Sequence, residues 1–537
     1  MRARYPDRDD YVERNGARLY YEVYENEGPT VLLGQSWEIL HSRHWKMQIP
    51  YLSRHFRVVT FDPVGNGKSD RPKVRERYKA TELMADTLAV LDATETETCV
   101  AVGLSMGGAL VTYLAAFHPE RFNGIVAIAP SSPWMVGNPN GSDITDSQPA
   151  APGEVPVGWE KYDPDYWLVD YPDFVDFFFR EVVSDPHSTK LLEDTTGWAF
   201  ETTGEILHLS STNPPSFEVE KLEEKIRAID MPVLIIHGTD DRVTYHESSA
   251  VLHKMIQGSV LALIEGAGHV PMARYPVKVN HMIRDFVDRT YGIHRPQPGW
   301  HISSGRTKKA LYVSSPIGLG HAMRDVAIAE ELRKIHPDLQ VEWLAQDPVT
   351  RVLNAKDEVI HPASQHLASE SAHLESESGE HDLNAFQALR NMDEIMTSNY
   401  MLLDDVVADG QYDLVIGDET WELDYHLHEN PTLKKTPYAW MTDFVGWIPM
   451  PSGGEREALV AADYNAEMIE HVARYQRIRD KAIFVGNPED IIAGTFGPDL
   501  PAIREWTEAN YDFAGYVTGF DPNDLGDRDE VRTELGY

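Results

Sequence analysis

Residues 99–108 read CVAVGLSMGG, an apolar run ending in a serine between glycines, and from Gly108 the helical stretch GALVTYLAAF follows at once. A G-x-S-x-G turn between a buried strand and a helix works because glycine on either side permits a sharp, strained bend that lifts the hydroxyl above the sheet. Gly103, Ser105 and Gly107 fit that pattern. The helix start adds N–H groups and a positive dipole end, which favour negative charge on an oxygen bound beside the serine. A serine hydroxyl is inert at neutral pH unless a base takes its proton and a carboxylate orients the base, so the turn makes a demand on the rest of the chain.

Both partners are present. HGTDDRV places Asp241 just past the apolar strand VLIIHG, with Asp240 as its neighbouring rival, and EGAGHVP sets His269 in a glycine-flanked loop after the next strand. Each would stand at the carboxyl end of a strand, in the chain order Ser, Asp, His.

Working outward, RLYYEVY, PTVLL, FRVVTF, CVAVGL and IVAIAP alternate with helical segments between residues 18 and 130. That alternation predicts a mainly parallel sheet flanked by helices, an α/β fold. A Pro-, Gly- and Ser-rich stretch begins near 131 and leads into the aromatic run DYWLVDYPDFVDFFFREVV, which reads as a cap inserted over about 131–229. MPVLIIHG and SVLALIEG resume the strands, and VNHMIRDFVDRTY closes a first domain, 1–292. Residues 293–309, IHRPQPGWHISSGRTKK, read as a linker. A second alternation, ALYVSS, QVEWLAQ, YDLVIGD, YAWMTDF and AIFVGN, predicts a separate Rossmann-like domain over 310–537. The biased stretch HLASESAHLESESGEHD (366–382) lacks a metal-ligand spacing and reads as a solvated helix or loop.

The 537 residues suffice for about two to four packing units. A formal net charge of −38 excludes nucleic acid as a main partner, because phosphate binding needs clustered Lys and Arg. Cys99 is the single cysteine, which rules out an intrachain disulfide or thiolate cluster and fits a cytoplasmic setting. The N-terminus is charged throughout and no run of about 18 apolar residues occurs, so neither a secretory signal nor a membrane span is expected. The residues imply no metal and no cofactor, and leave the oligomeric state open.

With the serine turn, Asp241 and His269 in that order, residues 15–292 resemble the α/β-hydrolase fold family of single-domain esterases, lactonases and cofactor-free perhydrolases. FDPVGNGKSDRP matches the family's G-x-G-x-S loop at Gly65, Gly67 and Ser69. It is no phosphate loop, since the first glycine of G-x-x-x-x-G-K-S would fall on Asp62. The family has His-Gly after its first inner strand, and the next backbone N–H completes the oxyanion hole. In VLLGQSWEILHSRHW, Ser36 and Trp37 replace that pair, so the resemblance implies the amides of Glu38 or Trp37, together with Met106, as donors. Loss of one donor costs about 3 kcal/mol in the barrier. His41 and His44 nearby read as surface histidines without a role, or as side chains that touch substrate. The implied chemistry is acyl transfer through an acyl-enzyme on Ser105, without cofactor, on a small ester or lactone. Trp134, Trp167, Phe177 and Phe178 of the cap fit an apolar roof or ordinary cap packing, and weakly favour an uncharged or lipophilic substrate.

ALYVSSPIGLGHAMRDVAIAEEL is strand, glycine-rich turn and helix, but it fails as a dinucleotide fingerprint because Met323 stands where a further glycine is needed. Residues 308–520 are instead similar to the amino-terminal half of two-Rossmann-domain glycosyltransferases, in which a Gly-His at the first turn lies at the acceptor site. Gly318, Gly320 and His321 match, and Asp418 and Glu419 follow a later strand where that family keeps an acid. The resemblance implies a glycosyl acceptor as partner of this domain, and expects the donor-binding second half to be missing after about residue 520. An EF-hand reading of 521–532 fails at Leu525 and Arg532. The leading expectation is a serine hydrolase fused to an acceptor-binding domain. The alternatives are a glycosyltransferase component carrying a non-catalytic hydrolase fold, or a perhydrolase or haloperoxidase using the same triad.

Overall fold

A computed structural model describes residues 1–295, 306–379, 382–520 and 526–537. Most of the linker stretch, residues 296–305, lies outside the described residues, as do residues 521–525 of the rejected calcium loop. The chain divides into two compact units, Arg4–Arg295 and Met1–Ala3 with Pro296–Tyr537.

The first unit holds eight strands: β1 (Arg8–Arg14), β2 (Ala17–Tyr24), β3 (Thr30–Leu33), β4 (Arg57–Phe61), β5 (Cys99–Leu104), β6 (Phe122–Ile128), β7 (Val233–Gly238) and β8 (Val260–Ile264). Their order across the sheet is β1-β2-β4-β3-β5-β6-β7-β8. β1 pairs antiparallel with β2, and β2 antiparallel with β4; the remaining pairs are parallel. All six residues of β5 are buried, as expected of a strand covered on both faces, and this is why CVAVGL reads as a continuous apolar run rather than an alternating one. β1, RDDYVER, has no apolar pattern to reveal it. It is a largely exposed edge strand that pairs with β2 through its backbone and through Asp9 and Tyr11 against Tyr20.

Between β6 and β7 the inserted segment supplies five helices, Pro164–Trp167, Tyr171–Val182, Thr189–Ala199, Gly204–Ser211 and Val219–Arg227. The aromatic run that looks continuous in sequence is two helices. Asp170 caps the second by accepting from the Asp173 N–H, and Pro172, lacking an N–H, fits only its first turn.

The second unit carries β9 (Lys309–Ser314), β10 (Gln340–Leu344), β11 (Val359–Ile360), β12 (Leu414–Asp418), β13 (Tyr438–Thr442), β14 (Lys481–Phe484) and β15 (Asp512–Phe513), in the order β11-β10-β9-β12-β13-β14-β15 and parallel throughout. β9 lies between β10 and β12, so the chain leaves it in one direction and later returns on its other side. That is the switch point at which α/β sheets open a crevice beyond the strand ends.

Two expectations need correction. The 366–382 stretch is not simply solvated: Ser369 caps the helix Glu370–Glu377, and within it His373 is fully buried, its Nε2 bonded to the Ala388 carbonyl, while Glu370 is buried against Gln346 and Asn399. His41 and His44 are not surface histidines either; both are buried, His41 against Glu201 and His44 against the His41 carbonyl.

Candidate active site

Ser105 sits at φ +56°, ψ −116°, between β5 and the helix Met106–Phe117. A side-chain-bearing residue rarely adopts this conformation, and its neighbours show what the turn requires. A Cβ on Gly103 would stand 2.2 Å from the Gly107 carbonyl oxygen, and one on Gly107 would stand 1.9 Å from that of Gln35. Both glycines are therefore close-approach positions: the turn folds back on itself and the segment after β3 passes directly against the helix start. The Ser105 amide donates to the Ile128 carbonyl, and its hydroxyl lies 3.4 Å from that of Ser131.

Asp241, in the loop after β7, accepts from His269 Nδ1 at 2.7 Å. Asp240 is exposed and Asp241 is buried, so the rival pair of aspartates separates cleanly. Two further features tie Asp241 down. Its Oδ1 accepts from the Val243 and Thr244 amides at 2.7 and 2.9 Å, and its Oδ2 also accepts from the Thr244 hydroxyl at 3.0 Å and from His237 Nε2 at 2.9 Å. Burial pushes the carboxyl upward, but the charge of His269 and the hydrogen bonds from His237 and His269 outweigh it and hold Asp241 well below the usual carboxylate range. His237 is the residue that sequence reasoning missed. It lies within the quoted HGTDDRV, four positions before Asp241, and its other ring nitrogen meets the Ser249 hydroxyl at 2.6 Å. The loop bearing His269 is held from the cap: the Gly268 amide donates to Asp185, and a Cβ on Gly268 would stand 2.6 Å from that carboxylate.

The amides of Trp37 and Glu38 donate to no backbone carbonyl among the described residues. The contact of Gln35 with Gly107 brings their segment to the helix start where Met106 stands. The Glu38 side chain is buried, and burial pushes it up to about 7 against the opposing pull of its own backbone amide and the Ser210 hydroxyl. Trp37 packs its indole on Trp167 at 5.5 Å and Phe178 at 5.6 Å, so the aromatic face of the cap closes over this segment. Phe177 faces Trp159 instead, and Trp134 packs on the sheet-side core.

In the second unit, Gly318 caps the helix Leu319–Ile335 at φ +109°, Gly320 has open space around its Cα, and His321 stands in the first turn. His321 Nδ1 lies 2.9 Å from Asp418 Oδ2, at the end of β12. Burial lowers the affinity of the imidazole for a proton, but the Asp418 hydrogen bond and charge outweigh this and hold its pKa above the ordinary value. Arg324 and Asp443, which the sequence reading did not single out, join this group: Arg324 bonds Asp418 at 2.5 Å and Asp443 at 2.8 Å.

Residues 33–273 match the family described as alpha/beta hydrolase fold. A 2-hydroxy-6-oxo-2,4-heptadienoate hydrolase of Pseudomonas putida is 31% identical over 230 residues, 42% of this chain and 76% of that protein. The 3-oxoadipate enol-lactonase 2 of Acinetobacter baylyi is 24% identical over 251 residues, 46% of this chain and 84% of that protein. A pimeloyl-[acyl-carrier protein] methyl ester esterase of Aeromonas hydrophila is 23% identical over 263 residues, 49% of this chain and 96% of that protein. With a serine on a strained strand-to-helix turn and a buried Asp–His pair beyond later strands of the same sheet, the chain belongs to the alpha/beta hydrolase fold family and is an enzyme of that fold.

Proposed function

We propose that the first unit is a serine hydrolase acting on a carboxylic ester or lactone. The observation that carries this reading is the 2.7 Å hydrogen bond from His269 to a buried Asp241, whose remaining lone pairs are occupied by fixed donors. An imidazole oriented in this way keeps Nε2 free to accept the Ser105 proton as the oxygen attacks a carbonyl. The amides of Met106 and of Trp37 or Glu38 then receive the developing oxyanion, and water attacks the acyl-enzyme with His269 again as base. The relatives named for lactone and methyl ester hydrolysis support the substrate class, and the aromatic cap over Trp37 favours an uncharged acyl group.

A fluorophosphonate probe tests the reading. Covalent attachment to Ser105, lost in Ser105→Ala and in His269→Gln, is the expected result. No labelling of the wild-type chain would refute it and leave the hydrolase fold as a binding module. The second unit, on its likeness to acceptor-binding glycosyltransferase domains, is proposed to take a glycosyl acceptor near Gly318, Gly320, His321 and Asp418.

A further inference from the structure

We propose that the second unit holds a divalent transition-metal ion between His321, Glu419 and Asp443. The inference goes beyond the acceptor reading and is independent of the hydrolase site. One ligand atom from each residue lies within 4.8 Å of the other two, and His321 Nε2 stands 3.6 Å from Glu419 Oε2. Two ligands each about 2.1 Å from one ion in a tetrahedral arrangement are about 3.4 Å apart, so this pair is nearly at coordination spacing.

What distinguishes the group from a chance gathering of acids is that each side chain is fixed through its other atom. His321 Nδ1 is engaged by Asp418 at 2.9 Å, with an Arg324 nitrogen also 2.9 Å away, and Nε2 lies on the Glu419 side of the ring, the orienting arrangement found behind metal-bound imidazoles. Glu419 Oε1 accepts from the Thr442 hydroxyl at 3.2 Å and from the Asp443 amide at 3.1 Å, leaving Oε2. Asp443 Oδ2 accepts from Arg324 at 2.8 Å, leaving Oδ1. Each of the three residues thus keeps a ligand atom not taken up by these bonds, in a group whose ligand atoms lie within 4.8 Å of one another and whose supporting contacts are already in place.

Position and charge agree. The ligands come from the helix after β9 and from the loops after β12 and β13, beside the switch point. Arg324 pairs with Asp418 and Asp443, and Glu419 stands beside His321, so three carboxyl groups surround one guanidinium and one imidazole. Asp443 is 45% exposed in its side chain, which leaves an open side for the ion to enter and for water or a ligand to complete the coordination. The mixed nitrogen and oxygen donor set suits Mn²⁺, Fe²⁺ or Zn²⁺, and the absence of a thiolate removes the soft ions. With an ion bound, Nε2 of His321 is occupied, and a hydroxyl or phosphate ligand in the crevice would meet the metal rather than the imidazole.

Titration of the full chain with Mn²⁺ at pH 7.5, following the free ion by electron paramagnetic resonance, tests this. The expected result is one saturable site per chain, displaced by Zn²⁺, which binds the same donors more tightly. Asp443→Asn and Glu419→Gln should each weaken it at least tenfold, Asp418→Asn should weaken it about 10–100-fold through its hold on His321, and Ser105→Ala should leave it unchanged. No saturable binding below millimolar Mn²⁺ would mean that a proton alone occupies the imidazole and overturns the proposal, as would a site that Asp443→Asn and Glu419→Gln leave intact. Asp443 is half-exposed, so its variant remains a fair test if Glu419→Gln fails to fold.

Discussion

Ser105 carries a conformation that its own side chain disfavours, and the surrounding hydrogen bonds and glycines hold it there. The neighbouring aspartates give a sharp test at this scale. Asp241→Asn leaves His269 without its charged orienting partner and should lower kcat about 10³–10⁴-fold, while Asp240→Asn, at an exposed position, should change it little; steady-state ester hydrolysis reads both. Glu38 makes a prediction of the opposite kind. An unfolded glutamate titrates near 4.3, roughly, and this one is pushed up to about 7 by burial, so in the window between them the folded state holds the proton more tightly. Stability therefore falls as pH rises through that window and stays lower above it. Asp241, held low, acts in the reverse sense and loses its contribution only as the solution becomes strongly acidic. Glu38→Gln should raise the unfolding free energy of the first unit at pH 8, by on the order of 2–3 kcal/mol in chemical denaturation, and change it little at pH 4. An equal effect at both pH values would show that the carboxyl is not held protonated.

At the scale of the element, the strand-turn-helix of 99–117 depends on two glycines that nothing larger replaces. Gly107→Ala sets a methyl group against the Gln35 carbonyl and should cost about 3 kcal/mol or more by chemical denaturation, with loss of probe labelling because the segment after β3 is pushed off the helix start. Gly197 supplies the contrast. It lies in the helix Thr189–Ala199 with open space around it, so Gly197→Ala should stabilise by about 0.5–1 kcal/mol through helix propensity alone. The central parallel strands β5 and β7 were readable from sequence because burial on both faces makes them nearly continuous apolar runs. β1, β11 and β15 were not. The first is a charged edge, and the other two are two-residue pairings defined by the partner strand more than by their own residues.

For the molecule as a whole, the net charge of −38 sets a repulsion that the fold must overcome. Raising NaCl from about 0.05 to 0.5 M, which shortens the screening length from over 10 Å to about 4 Å, should raise the thermal midpoints of the chain; unchanged midpoints in calorimetry would show that the acidic side chains are too widely spread to interact.

By itself the sequence determined the α/β class of both halves and the glycine-flanked serine turn after β5, since apolar runs and glycine spacing are local properties of the chain. The tertiary structure decided which of two adjacent aspartates faces the imidazole, that His237 shares that carboxylate, and that Arg324 and Asp443 close around His321. The Asp241–His269 and Arg324–Asp443 pairings join positions far apart in the chain, and the local ones, His237 with Asp241 and Arg324 with His321, depend on how a turn or helix start is bent. A charge or hydrogen bond acts over a few ångströms of space, so only the folded geometry selects among them.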